Sequence, residues 1–298
     1  MRRKSAKPGS AGSHRPANFF SDDSQLTTKK MIDHGKHNVL GVLVDAVDYE
    51  RAVDRIASAA MERQPLGVTA LAVHGVMTGA TDDEHRHRLN QFGLVVPDGQ
   101  PVRWALNRLH GAGLGDRVYG PTLMLKTCER AAEDGIPIFL FGADQAMLDR
   151  LQSSLLERFP GLRIAGARPS KFRKINEEER AEMIEEIKAS GAQITFVGLG
   201  CPRQEVFVYE NVEELSMPML AVGAAFAFHA GVLDQAPAWM QRNGLEWLYR
   251  FIKEPRRLWH RYMVLNPMYV TMLALQAFGL RRRDPEATTP PKEQQLFG

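Results

Sequence analysis

Short apolar runs alternate with longer amphipathic stretches along most of the chain. Runs at 39–44, 67–76, 94–97, 136–141, 162–166, 193–199 and 219–224 are rich in Val, Ile, Leu, Ala and Phe. Such runs are what strands buried on both faces look like. Between them, 49–63, 82–90, 100–110, 122–134, 145–159, 177–190 and the stretch after Pro202 are predicted as helices, and 45–48 and 142–144 as turns. Alternation on this scale predicts an α/β fold: a mostly parallel, Rossmann-like sheet with helices on both faces. After Pro237 the pattern changes to basic and aromatic residues on helices, which predicts a C-terminal helical appendage.

The flanks differ from this core. Residues 1–36 are rich in Lys, Arg, Ser, Gly, Pro and Asp and predict a disordered tail. Residues 284–298 predict a second one. The expected layout is therefore an α/β domain at 37–240 and an appendage at 241–283. With 298 residues, 44% of them hydrophobic, the chain can bury a substantial core in one or two domains. A net charge of +3 gives no sign of a nucleic-acid partner. Cys128 and Cys201 form no paired motif, which fits a reducing cytoplasm. No apolar run follows the basic N-terminus, so no signal peptide is expected. The longest apolar candidate, 263–280, is broken by Asn266, Pro267 and Gln276 and is not expected to span a membrane.

Two stretches carry candidate chemistry. In the first, Gly198 and Gly200 turn the chain after a predicted central strand, Pro202 fixes φ, and Arg203, Gln204 and Glu205 follow. Ligands of open α/β sheets bind beyond the carboxyl ends of the strands, so this is either a binding turn or a plain turn that opens a charged helix. Cys201 is a nucleophile or a small turn residue, and the lack of a nearby His favours the turn. In the second stretch, the strand at 94–97 ends in Asp98 and Gly99, with Gln100 and Pro101 opening a helix. Asp98 can cap that helix or serve as a strand-end general base. His85 and His87 are two apart on a helix and so face different directions, which predicts a solvated face rather than a metal pair. There is no Walker A motif, no first-strand GxGxxG and no Asp-x-Asp pair, so neither a cofactor nor a metal on a diphosphate is expected. At the C-terminal end, Trp247, Tyr249, Trp259 and Tyr262 interleave with Arg250, Arg256, Arg257 and Arg261. This suits an anionic membrane surface or an ordinary packing helix pair.

Together these stretches resemble the WecG/TagA/CpsF family, glycosyltransferase family 26. The matching pieces are Pro97-Asp98-Gly99, Arg117-Val118-Tyr119-Gly120, the run from Gly198 to Glu205, and Gly244-Leu245-Glu246-Trp247-Leu248-Tyr249-Arg250 with Glu254-Pro255-Arg256-Arg257. They follow the family's order and spacing across 38–265. The resemblance implies inverting transfer of a sugar from a UDP-sugar to a polyprenyl-pyrophosphate-linked sugar at the inner membrane face, in surface or exopolysaccharide synthesis. It implies Asp98 as the base. It puts Arg117 and Gln204 in the donor pocket, with Gly99, Gln100, Gly120, Gly142, Gly200, Pro202, Arg203 and Glu205 around them. Arg250, Arg256, Arg257 and Arg261 are then candidates for the diphosphate and the membrane. A homo-oligomer is compatible with this reading.

Three positions depart from the family pattern. Ala70-Leu71-Ala72 replaces a Thr-x-Asn, with Thr69 and His74 as the nearest substitutes; Phe226-Ala227 replaces Phe-Asp; Gln235-Ala236-Pro237 replaces Arg-Ala-Pro. These departures imply a different donor or acceptor. They also keep an alternative open, a catalytically altered member acting as a membrane-associated binding protein. A further alternative, another nucleotide-sugar enzyme or a dinucleotide oxidoreductase, lacks its first-strand fingerprint.

Overall fold

A computed structural model describes residues 31–298, apart from the side chains of Ala238 and Arg257; the tail expected before residue 31 lies outside the described residues. The chain enters through β1 (Asp33–Val39) and β2 (Val42–Val47), an antiparallel hairpin. The single strand expected at 39–44 is therefore two. Leu40 and Gly41, at φ +58° and +92°, reverse the chain in two residues. Asp33 to Lys36, expected in the tail, belong to β1. Asp48 then caps α1 (Tyr49–Met61), its carboxylate accepting from Arg51 N at 2.9 Å.

From there strands and helices follow one another, but the apolar run at 67–76 is divided: its strand ends at Leu71, and Val73 to Val76 open a helix. The order is β3 (Leu66–Leu71), α2 (Val73–Thr81), α3 (Asp83–Gln91), β4 (Leu94–Pro97), α4 (Gln100–His110) and α5 (Gly120–Asp134). Next come β5 (Ile138–Gly142), α6 (Gln145–Arg158), β6 (Ile164–Arg168), α7 (Glu177–Ala189), β7 (Ile194–Gly198), α8 (Arg203–Leu215) and β8 (Pro218–Ala221). Helices α9 (Ala225–His229), α10 (Ala238–Arg242), α11 (Glu246–Lys253) and α12 (Pro255–Trp259) follow. A π-helical segment (His260–Leu265) then leads into α13 (Asn266–Ala277). β3 to β8 form one parallel sheet in the order β4-β3-β8-β7-β5-β6. Strand residues alternate between two apolar layers: Ile138, Leu140, Ile194 and Phe196 enter one, and Phe139, Phe141 and Val197 the other. Helices thus cover both faces, and β7 and β8 lie at the centre.

The C-terminal helices are packed into this body. Tyr269 on α13 is 2% exposed and donates to Pro101 O at 3.1 Å. Gln276 grips the hairpin turn: Oε1 accepts from Leu40 N and Nε2 donates to Asn38 O, both at 2.9 Å. Residues 284–298, expected as a tail on composition, make defined contacts. Arg86 Nη2 donates to Ala287 O at 2.7 Å, and Ser170 Oγ donates to Gly298 O at 2.7 Å. These contacts help overturn one expectation. His85, Arg86 and Arg88 of α3 are buried, because α2, α8, β2 and the 284–288 segment cover the helix that was expected to be solvated.

Gly142 ends β5 at φ +116°, where an added Cβ would lie 2.8 Å from the Gly198 backbone. The two strand ends can approach this closely only without side chains. Gly142→Ala is expected to destabilise the protein by about 2–4 kcal/mol through strain and overlap. Urea unfolding followed by circular dichroism checks this, and an unchanged midpoint would show that the strand ends can part without loss.

Candidate active site

Beyond the carboxyl ends of β3, β4, β7 and β8 lies a cleft of about 780 Å³. A second cavity of about 120 Å³ adjoins it, roofed by α11 and the π-helical segment. Ala72, His74, Asp98, Tyr119, Arg250 and Arg261 border both. Asp98 therefore sits where the two spaces meet.

The backbone explains how Asp98 gets there. β4 pairs with β3, Asp98 N donates to Leu71 O at 3.1 Å, and Val118 N donates to Pro97 O at 3.0 Å. Gly99, without a side chain, occupies the cap position of α4. Asp98 does not cap that helix. Its Oδ1 accepts instead from Gly120 N, the first residue of α5, at 2.9 Å. Asp98 as a whole is half-buried and borders the cleft. Burial pushes its pKa up to about 6, against Arg117 and the Gly120 N–H, with the charge of Glu246 adding to the rise and Arg250 opposing it. A carboxylate tuned to this range can accept a proton near neutral pH.

Arg117 and Glu246 form a nearly buried ion pair at the site. Arg117 Nη2 lies 2.6 Å from Glu246 Oε2, and both side chains are nearly buried. Tyr119 Oη donates to the other Glu246 oxygen at 2.8 Å, and the Arg117 guanidinium stacks 4.2 Å from the Tyr119 ring centre. This pairing keeps Arg117 in the smaller cavity, together with Gly99 and Gln100. Gly120, Gly200, Arg203, Gln204 and Glu205 border the larger cleft. Arg117 and Gln204 were expected in one pocket; they occupy two cavities joined at Asp98. Gly142 and Pro202 border neither, and act on the strand end and the helix start instead.

The turn after β7 is braced from within. Gly200, at φ +78°, donates its N–H to Gln204 Oε1 at 3.1 Å. Gln204 Nε2 donates to Glu205 Oε1 at 2.9 Å, and Thr69 Oγ1 donates to the same oxygen at 3.1 Å. Thr69 is thus spent beneath the floor and cannot replace the polar contacts missing at Ala70 and Ala72. His74 can. It borders both cavities, and its Nδ1 has no hydrogen-bond partner among the described residues. Burial, with Arg261, His85 and His260 adding, lowers its pKa to about 4, so the ring is neutral at pH 7.

Of the C-terminal arginines, Arg250 and Arg261 border both cavities. Arg256 is exposed on the surface, and the side chain of Arg257 lies outside the described residues. Two site residues were missing from the expected set, Tyr119 and Glu246. Each stands inside a motif that carried the resemblance, and that was the only signal available for them.

Glu246→Ala leaves Arg117 buried without its partner. We expect a stability loss of about 3–5 kcal/mol. The same change removes a negative charge that raises the Asp98 pKa. The acidic limb of the pH–rate profile should therefore move to lower pH. Urea unfolding measures the first effect and kcat/KM against pH the second; an acidic limb that stays in place would uncouple Glu246 from Asp98.

A family model, "Glycosyl transferase WecG/TagA/CpsF family", matches residues 37–283. The match spans the whole sheet, the Asp98 junction and the helices that roof it, and on that basis the chain belongs to the WecG/TagA/CpsF family of glycosyltransferases.

Proposed function

We propose that the protein is an inverting hexosyltransferase that moves a sugar from a UDP-sugar to a polyprenyl-pyrophosphate-linked sugar, at a membrane surface, in exopolysaccharide synthesis. The observation that carries this reading is Asp98 at the junction of two cavities, with Arg250 and Arg261 beside it. Inversion needs the acceptor hydroxyl and the leaving group on opposite sides of the anomeric carbon. The larger cleft suits the nucleotide sugar, and the smaller one, bordered by Trp247 and Tyr262, suits the acceptor sugar.

In the reaction the acceptor O–H gives its proton to the Asp98 carboxylate as the new C–O bond forms. The bond from the anomeric carbon to the phosphate oxygen breaks, and its electron pair leaves with UDP. Arg250 and Arg261 can neutralise the growing diphosphate charge through directed N–H groups. His74, neutral and facing the cleft, can hydrogen-bond a sugar hydroxyl as donor or acceptor.

The membrane side of the proposal rests on exposed residues. No helix among the described residues is long and apolar enough to cross a membrane. Trp239, Ile252, Trp259 and Val270 are 55%, 69%, 59% and 64% exposed. They accompany exposed Arg242, Lys253, Arg256 and His260. Apolar and basic groups of this kind suit the interface of an anionic bilayer.

The direct test is UDP release and chain extension on a polyprenyl-pyrophosphate-linked sugar, after a thermal-shift screen has chosen the UDP-sugar. Asp98→Asn is expected to lower turnover by roughly two to four orders of magnitude while donor binding persists. Wild-type kcat/KM should fall below about pH 6, where Asp98 becomes protonated. Folding raises the Asp98 pKa, so its stability contribution is full at low pH and lost as pH rises through about 6. Asp98→Asn should therefore melt no lower than wild type at pH 7.5. Turnover unchanged in the mutant would remove Asp98 from the chemistry.

A second test addresses the membrane. Combining Trp259→Ala with Lys253→Glu and Arg256→Glu should weaken flotation with anionic liposomes at least about tenfold, since each surface basic residue contributes about 1 kcal/mol. Circular dichroism should be unchanged. Undiminished flotation would move the membrane contact elsewhere.

A further inference from the structure

Three metal-binding side chains from distant parts of the chain meet beneath the cleft floor. His85 comes from α3, Cys201 from the turn after β7, and Glu205 from the first turn of α8. One ligand atom from each lies within 4.8 Å of the others. His85 is 2% exposed and Glu205 0%. Among the described residues, neither His85 Nε2 nor Glu205 Oε2 meets a nitrogen or oxygen hydrogen-bond partner, and the Cys201 thiol lies within reach of the Glu205 carboxyl. Each such orphaned buried atom costs about 1–3 kcal/mol. Glu205 is held firmly all the same, since Thr69 and Gln204 both donate to its Oε1. That leaves the second oxygen beside an imidazole and a thiol.

We propose that His85, Cys201 and Glu205 bind a zinc ion that fastens α3 to the turn carrying Gly200 and Gln204. Imidazole, thiolate and carboxylate are the zinc ligand types. A thiolate argues against magnesium and calcium, which take oxygen ligands. Bonds of about 2.0–2.3 Å put tetrahedral ligand atoms about 3.3–3.8 Å apart, so the three need to close by about 1 Å. Cys201 and Glu205 supply two negative charges that balance the ion. The thiol proton leaves to solvent as the Zn–S bond forms. Thr69 and Gln204 orient the carboxylate from behind, as second-layer partners of metal ligands do. Three protein ligands leave a fourth position, and since Cys201 and Glu205 border the cleft, water can fill it from there. The ion serves the shape of the turn; the diphosphate is left to Arg250 and Arg261. The proposal rests on this geometry alone and does not depend on the donor or acceptor.

The full-length protein, purified without a metal-affinity step, is stripped with a strong chelator, given zinc and gel-filtered. Element analysis should find one zinc per chain in wild type. His85→Gln and Cys201→Ser should each lose it. His87→Gln and Cys128→Ala should keep it; His87 sits on the same helix but bonds Thr288, and Cys128 lies in the opposite apolar layer. Zinc should raise the melting temperature of wild type and of His87→Gln, and not of the two ligand variants. Should the ligand variants fail to fold, cobalt decides: the cobalt-loaded wild type must show a thiolate-to-cobalt charge-transfer band that survives Cys128→Ala. Wild type without stoichiometric zinc, zinc retained by Cys201→Ser, or no such band overturns the proposal.

Discussion

A guanidinium and a carboxylate taken out of water cost several kcal/mol each unless they meet in good geometry. Arg117 and Glu246 meet at 2.6 Å, with Tyr119 completing the carboxylate's hydrogen bonds. The pair joins the loop between α4 and α5 to the first residue of α11, and much of the site depends on that join. Arg250 stands four residues after Glu246, so both lie on one face of the helix. Docking Glu246 therefore aims Arg250 at the cleft. Trp247 comes next in the chain and closes the smaller cavity. Asp98 responds to the same pair, since Arg117 lowers its pKa and Glu246 raises it. One buried contact thus holds the roof, aims Arg250 and adjusts the basicity that burial gives the central carboxylate.

Most of the sheet was legible because its strands are buried on both faces. Continuous apolar runs such as Ile138–Gly142 leave little doubt about position. The hairpin was not legible. Its first strand reads Asp-His-Gly-Lys-His-Asn-Val, and its turn uses a leucine at positive φ, a place where glycine or asparagine is the usual signal. The burial of α3 was hidden for another reason. Its charged sequence looks solvated, and tertiary cover from α2, α8, β2 and the 284–288 segment makes it internal.

The site divides in the same way. Asp98 was marked by its place at a strand end, but two roles fitted it. The choice against capping α4 needed Gly120, whose N–H it accepts from across 22 positions. Arg117 was marked too, yet its direction is set by a carboxylate 129 residues away. No local pattern encodes that. The replacements at Ala72 and Ala227 put methyl groups on the cleft wall, and His74 is the polar side chain left beside them.

The grip of Gln276 on the Asn38–Leu40 turn joins positions 236 and 238 residues apart. A ribosome makes the hairpin more than two hundred residues before α13. The hairpin turn must therefore wait, its backbone groups satisfied by water, until α13 has emerged. The helices with the most exposed tryptophans leave the ribosome in that same closing interval. Completion of the fold and first encounter with a lipid surface are thus compressed into one late event of synthesis, and a nascent chain arrested before α13 carries an open amino-terminal edge.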